Sequence, residues 1–368
     1  MKIILAFDSF KGSMSASEAV AAATEGIRSV YPDANIVGLP LADGGEGTTE
    51  AMCRFMKGRW VECASHDPLF RSIKARYYVS VSGETAVMEM AECAGLTLLN
   101  PMEQNPMKTT SFGVGEMIRD AVHRRCKTIY VGVGGSATND AGMGMLSALG
   151  YRFLSDSDTP VNPVGEEMIK VSKVDVTGAV RLKDISIVAI CDVKNPLYGK
   201  NGAAYIYAGQ KGASSSEIAS LDEGLRHFSS FFPVDAFSQG CGAAGGLGFG
   251  LKIIGATLSK GIDVVISMSG LQRHLRDADL VITGEGRIDK QTLYGKLPIG
   301  VLNKAKACNV PVIALAGSVT DEKELLDAGF KSVQSINPPG ISVEQAMMHD
   351  IATANMQIAA ANVVSGLN

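Results

Sequence analysis

Short apolar runs alternate with polar, glycine-rich junctions, and the segment after each junction usually turns helical in period. Lys2 to Phe7 reads as a buried strand, and Asp8-Ser9-Phe10-Lys11-Gly12 leaves it as a polar loop. Ser15 and Glu18 have the spacing of a capping box, which starts a helix near Ala16. Ala16, Val20, Ala23, Ile27 and Val30 give that helix one apolar face, and Pro32-Asp33 ends it. Asn35 to Leu41 is a second strand, Ala42 to Thr48 a second junction, and a helix follows to about Lys57.

From Arg59 to Met90 the texture changes. Trp60 to Cys63, Ser72 to Val81 and Thr85 to Met90 alternate or run apolar between turns at His66-Asp67-Pro68 and Ser82-Gly83, the pattern of antiparallel strands. Ser111 to Arg125 is helical in period. Ile129 to Val133 reads as a strand, Gly134 and Gly135 as a turn, and the residues from Met143 to Leu149 as a helix. Asp184 to Ile190 is a strand that delivers Asp192 at its carboxyl end, and Ser214 with Glu217 caps a helix running to Phe231. A dense glycine run, Gly240 to Gly250, leads into an apolar segment. Asp279 to Ile282 is a strand ending in a glycine loop, Gly284 to Asp289. Ile299 to Ala307 is a helix, Pro311 to Ala316 a strand, Gly317-Ser318 a turn, Asp321 to Ala328 a helix, and Val343 to Leu367 one long final helix.

The fold class is therefore α/β with two domains. Both chain ends, 1–60 and 270–368, form a Rossmann-like parallel sheet with helices on its faces, and a mixed α/β domain, 61–269, is inserted between them. The length of 368 residues suits about two domains. With 46% apolar and 20% charged residues the chain has the composition of a globular protein with a sizeable core. A net charge of -4, with Lys and Arg scattered, argues against a nucleic-acid surface. Seven cysteines without a CxxC pair point to a reducing, cytoplasmic setting rather than a disulfide framework. The first apolar run is too short for a signal peptide, and none approaches the roughly 20 residues of a membrane span.

The chemistry concentrates in the junctions. Glycine lets backbone approach an anion closely, and a strand, glycine turn and helix aim N–H groups at it. Gly134 and Gly135 fit that geometry, with Ser136, Thr138 and Asn139 as side-chain donors and Asp140 as a carboxylate. Gly245 and Gly246 are a second candidate cradle, against the plainer reading of close helix packing. Asp43 and Glu46 within a glycine loop suit a magnesium ion or the hydroxyls of a small polyol. Two partial GxGxxG turns lack the acidic residue expected about 20 residues on, so a dinucleotide site is weakly supported. The chain has no GxxxxGK[ST] and no protein-kinase signature elements.

Seven linked stretches, spread in order over essentially the whole chain, resemble the type 1 bacterial glycerate kinase family. They are Asp8 to Gly12 with Ser15 to Glu18, Ala42 to Thr48, Gly134 to Asp140, Cys191 to Val193 with Asn195 to Leu197, Gly209 to Gly212, Gly242 to Gly246, and Val281 to Asp289. The sequence departs from the family in Phe7, where Pro is usual, and Cys241, where Ala is usual. The resemblance implies a cytosolic enzyme that transfers the ATP γ-phosphoryl group to D-glycerate with Mg²⁺. It implies two α/β domains, one flavodoxin-like and one restriction-endonuclease-like, with the active site between them. Family members generally look like 2-kinases giving 2-phosphoglycerate. The alternatives are a 3-kinase giving 3-phosphoglycerate and a kinase of a related small hydroxy acid. A nucleotide-cofactor oxidoreductase and a non-catalytic binding regulator are readings from other classes.

Phosphoryl transfer needs positioning, cation clamps on the moving group, and a base or orienter for the attacking hydroxyl. The phosphate cradle is assigned to Gly134, Gly135 and Ser136, with Thr138, Asn139, Gly245, Gly246 and Glu285 also on the nucleotide. Lys11 and Arg287 are the clamps, because each lies in a junction. Substrate contacts fall to Asp8, Ser9, Asp43, Glu46 and Arg71, with Lys11, Arg71 or Arg287 facing the glycerate carboxylate. As base or metal ligand Asp192 ranks first, followed by Asp43, Glu285, Asp8 and Asp289, with Asp289 also a metal candidate. The expected partner is a small-molecule substrate, with no nucleic acid or membrane, and the final helix makes a homodimer a candidate.

Overall fold

The computed structural model describes residues 1–41 and 48–366, with side chains from residue 52 onward in the second stretch. The fold class is α/β. Its strands are β1 (Lys2–Phe7), β2 (Asn35–Pro40), β3 (Gly58–His66), β4 (Ser72–Ser80), β5 (Thr85–Glu89), β6 (Thr128–Gly132), β7 (Arg152–Leu154), β8 (Lys173–Asp175), β9 (Ser186–Ile190), β10 (Thr257–Ser259), β11 (Leu280–Ile288), β12 (Val312–Val319) and β13 (Ser332–Ser335). The chain separates into two compact units, residues 1–55 with 261–368, and residues 56–260.

The first unit is built on a five-stranded sheet of order β13-β12-β11-β1-β2, parallel throughout. Strand order reverses between β1 and β11, and in open α/β sheets ligands bind outside the carboxyl ends of the strands at such a switch point. Ile3, Leu5 and Phe7 of β1 are fully buried, as expected for a central strand covered on both faces. Helix Ala16–Val30 starts from the expected capping box: the Ser15 side chain accepts from the Glu18 N–H, and Glu18 reaches back to the Ser15 N–H. Its buried Ala19, Ala22, Ala23 and Ile27 share a core with Ala352, Met356, Ala359 and Ala360 of the helix His349–Ser365. Small side chains at both surfaces let the two helices approach closely.

Two expectations fail here for a physical reason. Gly284 to Asp289 is not a loop after the strand, and Gly317-Ser318 is not a turn, because β11 and β12 run through them still paired, Arg287 opposite Ser318 and Ile288 opposite Val319. A Cβ on Gly284 would lie 1.8 Å from the Leu315 carbonyl oxygen. This glycine permits close approach of neighbouring backbones rather than a reversal. The final helix is also not continuous. A short turn, Val343–Ala346, is capped by Ser342, whose hydroxyl accepts from the Gln345 N–H, and a new helix begins at His349 after extended Met348. Asp350 in its first turn favours that second start through the helix dipole.

The second unit holds a six-stranded sheet of order β10-β9-β6-β5-β4-β3. β3, β4 and β5 pair antiparallel as their alternation indicates, but β5 also pairs parallel with β6, and β9 and β10 continue parallel. The carboxyl ends of β6 and β9 thus emerge side by side, feeding the loops that begin at Val133 and Cys191. β7 and β8 form a separate small antiparallel pair. Helix Ser215–Ser229 carries the expected Ser214–Glu217 capping box. Among the described residues no helix is long and apolar enough to cross a membrane.

Candidate functional site

In the first unit a cavity of about 430 Å³ opens at the carboxyl ends of the parallel strands. Asp8, Ser9 and Lys11 enter it from the loop after β1, and Glu285 and Arg287 from β11. The structure thus brings together five of the residues singled out in the sequence, although Arg287 sits on a strand rather than in a junction. Lys296, just before helix Leu297–Lys306, joins them, and Val343 and Met347 form an apolar side of the cavity.

Glu285 is a strongly perturbed acid in this cavity. It is 7% exposed. Its Oε1 accepts from the Thr292 hydroxyl at 3.0 Å and from the Lys296 ammonium at 3.4 Å. Burial pushes its pKa up from 4.5 to about 7, against the pull of Lys296 and Thr292, and the nearby Asp8 carboxylate adds to the rise. A carboxyl poised near neutrality in a cavity is the signature of a functional acid or base. The exposed Lys11 has no acidic partner among the described residues. Arg287 is 3.1 Å from Asp289 and mostly exposed.

In the second unit the loop after β6 leaves Gly134 and Gly135 exposed, and neither N–H has an acceptor among the described residues. Gly135 lies at φ +70, and a Cβ on Gly134 would meet open space. Two unpaired N–H groups on an exposed glycine turn suit an anion. Ser136 is half-buried beside them. Beneath the loop lies Lys211, 2% exposed, whose ammonium donates at 2.7 Å to the Ser136 hydroxyl and at 2.7 Å to the Thr138 carbonyl.

Other parts of the expected cradle are built differently. Thr138 and Asn139 are fully buried, so they offer no donors to an anion at the surface. Asp140 is no surface carboxylate either. It accepts from the Ser111 N–H and hydroxyl at 2.7 and 2.8 Å, and from the N–H groups of Gly142 and Gly144 at 3.0 and 3.1 Å. The start of helix Met143–Ala148 is therefore capped from inside and is not available to a phosphate. Gly245 and Gly246 are buried with left-handed backbone, at φ +67 and +91. A Cβ on Gly245 would stand 1.9 Å from the Thr138 carbonyl oxygen, so these glycines pack against the loop and the packing reading replaces the second cradle.

Arg71 is committed elsewhere. Its guanidinium pairs with Asp67, donates to Glu103 at 2.9 Å and to the Leu98 carbonyl at 3.2 Å, tying a turn to a neighbouring loop instead of facing a substrate. Asp289 caps the turn Lys290–Tyr294 by accepting from the Gln291 N–H at 2.9 Å, and Arg287 occupies its other oxygen, so it is poorly placed as a metal ligand. Asp192 is exposed just past the end of β9. Asp43 and Glu46 lie outside the described residues. Among the described residues no group of three or more His, Cys, Asp or Glu side chains is placed to share a metal. Magnesium asks less of a protein, since one or two carboxylates suffice when substrate phosphates and water complete its shell, and exposed Asp192 fits that requirement.

Lys211, Lys296 and Thr292 were not assigned from the sequence. Lys211 stands in one of the seven resembling stretches, Gly209 to Gly212, which is the only signal the sequence carried for it.

A parallel sheet with lysines and a near-neutral carboxylate at its switch point, and a glycine loop open to an anion, suit phosphoryl transfer by an enzyme outside the P-loop type. Residues 3–368 match the model of the glycerate kinase family. The chain belongs to that family. It is 41% identical over 366 residues to glycerate kinase of Haemophilus influenzae, covering 96% of this chain and 97% of the relative. It is 43% identical over 348 residues to glycerate 2-kinase of Escherichia coli, covering 91% of each. A crystal structure described as glycerate kinase 2 of Salmonella typhimurium LT2 superposes with a TM-score of 0.85 at 42% identity, over 100% of this chain and 98% of that one.

Proposed function

We propose that the chain transfers the γ-phosphoryl group of ATP, with Mg²⁺, to the 2-hydroxyl of D-glycerate, giving 2-phosphoglycerate. The observation that carries the mechanism is Glu285, a buried carboxyl near neutrality in a cavity that also holds Lys11, Lys296 and Arg287. Lys11 and Arg287 bind the glycerate carboxylate, since a carboxylate recruits cationic donors through charge-assisted hydrogen bonds. Glu285 accepts the proton of the attacking hydroxyl, with Lys296 and Thr292 holding its carboxylate in place. In the second unit Gly134, Gly135 and Ser136 receive the nucleotide phosphates, and Asp192 would hold Mg²⁺. The ion, when bound, neutralises charge on the phosphates. Choice of the 2-hydroxyl is supported by the Escherichia coli relative named glycerate 2-kinase.

The test is a turnover assay with MgATP and D-glycerate, the product being offered to enolase without a mutase. Immediate enolase flux supports the 2-kinase reading. Flux that waits for added mutase assigns the 3-hydroxyl.

A further inference from the structure

Lys211 is a buried ammonium with no ion pair among the described residues. Its two acceptors are neutral oxygens, the Ser136 hydroxyl and the Thr138 carbonyl. Among the described residues the one charged group acting on it is Asp140, whose carboxylate is already occupied by donors from Ser111, Gly142 and Gly144. The buried polar atoms of its neighbours are not satisfied either: Thr138 Oγ1 and both amide atoms of Asn139 have no hydrogen-bond partner among the described residues. Enclosing a charge this way is expensive, and a protein whose only need was a folded loop would do better with an apolar side chain. Burial accordingly lowers the Lys211 pKa from 10.5 to about 7.

The direction of the hydrogen bonds supplies the purpose. A lysine ammonium only donates, so the Ser136 oxygen accepts from it. The Ser136 hydroxyl proton then points away from Lys211, and the flanking Gly134 and Gly135 N–H groups lack acceptors among the described residues. We propose that Lys211 is a positioning residue for phosphoryl binding, holding Ser136 so that its O–H and the N–H groups of Gly134 and Gly135 form one anion cradle. The inference rests on the reading that this loop receives the nucleotide phosphates. An arriving phosphate restores the opposite charge that Lys211 lacks and favours its protonated form, so nucleotide binding takes up a proton at a pH somewhat above neutrality.

The test is calorimetric titration of the whole enzyme with MgADP at about pH 8, in two buffers of different ionisation enthalpy, which counts protons taken up on binding. The variants are Lys211→Met, Ser136→Ala, the double variant and Gly134→Val, each checked for folding by thermal melting. Lys211→Met is expected to bind MgADP at least ~10-fold more weakly and to lose the proton uptake of the wild type. The double variant should bind no more weakly than the weaker-binding of the two single variants, because Lys211 acts through Ser136. Wild-type affinity in folded Lys211→Met overturns the proposal, as does weaker binding with unchanged proton uptake, which is what a merely structural lysine gives. Should Lys211→Met not fold, Ser136→Ala decides: weaker binding with reduced uptake upholds the assignment and wild-type behaviour overturns it. Gly134→Val separates the two levels of the argument. If it binds MgADP as the wild type does, the phosphates sit elsewhere and the reading of the loop fails with the proposal. If it binds weakly while Lys211→Met does not, only the role of Lys211 fails.

Discussion

The Lys296 ammonium lies 3.4 Å from Glu285 Oε1, and burial nonetheless keeps the Glu285 carboxyl poised near pH 7. The lysine stabilises the ionised form without fully offsetting the lost hydration. If Glu285 is the proton acceptor, it must be ionised to work, so kcat/KM should rise with pH through about 7. Glu285→Gln should lower kcat by about 10²–10⁴-fold, the usual worth of a positioned general base. Steady-state rates from pH 5.5 to 9 check this, and near-normal turnover in the variant would remove Glu285 from the mechanism.

The same carboxyl makes a stability prediction of definite sign. Its folded-state pKa, about 7, lies above its ordinary value of 4.5, so the unfolded chain releases this proton first. The Glu285 contribution therefore favours the folded state at low pH and is lost as pH rises from about 4.5 to about 7. Glu285→Gln cannot ionise, so its Tm should gain on that of the wild type across this window and hold the gain above it. A constant difference between the two melting curves at all pH values would contradict the burial argument.

Two glycines only 111 residues apart in number should answer oppositely to alanine. Gly245 has φ +67 and no room, with the Thr138 carbonyl oxygen 1.9 Å from a Cβ. Gly245→Ala should cost about 2 kcal/mol or more of folding stability through strain and forced backbone movement. Gly134 meets nothing within 4 Å, and Gly134→Ala should melt near the wild-type Tm. Chemical denaturation of both variants decides the contrast.

Asp140 should matter for stability rather than for chemistry. Its carboxylate accepts four hydrogen bonds in a fully buried setting, joining Ser111 to the start of helix Met143–Ala148. Asp140→Asn turns an N–H donor toward groups that are themselves donors, and leaving buried donors unmet costs about 1–3 kcal/mol each. A drop of about 3 kcal/mol in unfolding free energy is expected in urea titration, with the fold retained.

What could be read from the chain was what its neighbours in sequence decide. The Ser15–Glu18 and Ser214–Glu217 capping boxes are three residues wide, and both helices begin where they indicate. Gly284 to Gly286 was misread because an apolar run followed by glycines looks the same whether the backbone turns or a neighbouring strand presses close. Leu315, which decides the matter, is 31 residues away. Within the site, Asp8, Ser9, Lys11, Glu285 and Arg287 were found because each sits at or near the end of a legible strand. Lys211 was missed because its burial depends on Ser136 and Thr138, more than 70 residues earlier. Arg71 misled for the converse reason, since its long-range partner Glu103 is invisible to local pattern.

The central claim is the phosphorylation of D-glycerate at its 2-hydroxyl. The most direct measurement mixes purified protein with MgATP and D-glycerate, follows ADP release, and passes the product to enolase with no mutase present. ADP release with immediate enolase flux is the predicted result. ADP release without flux until mutase is added would contradict the 2-hydroxyl assignment, and no ADP release from folded protein would contradict the substrate itself.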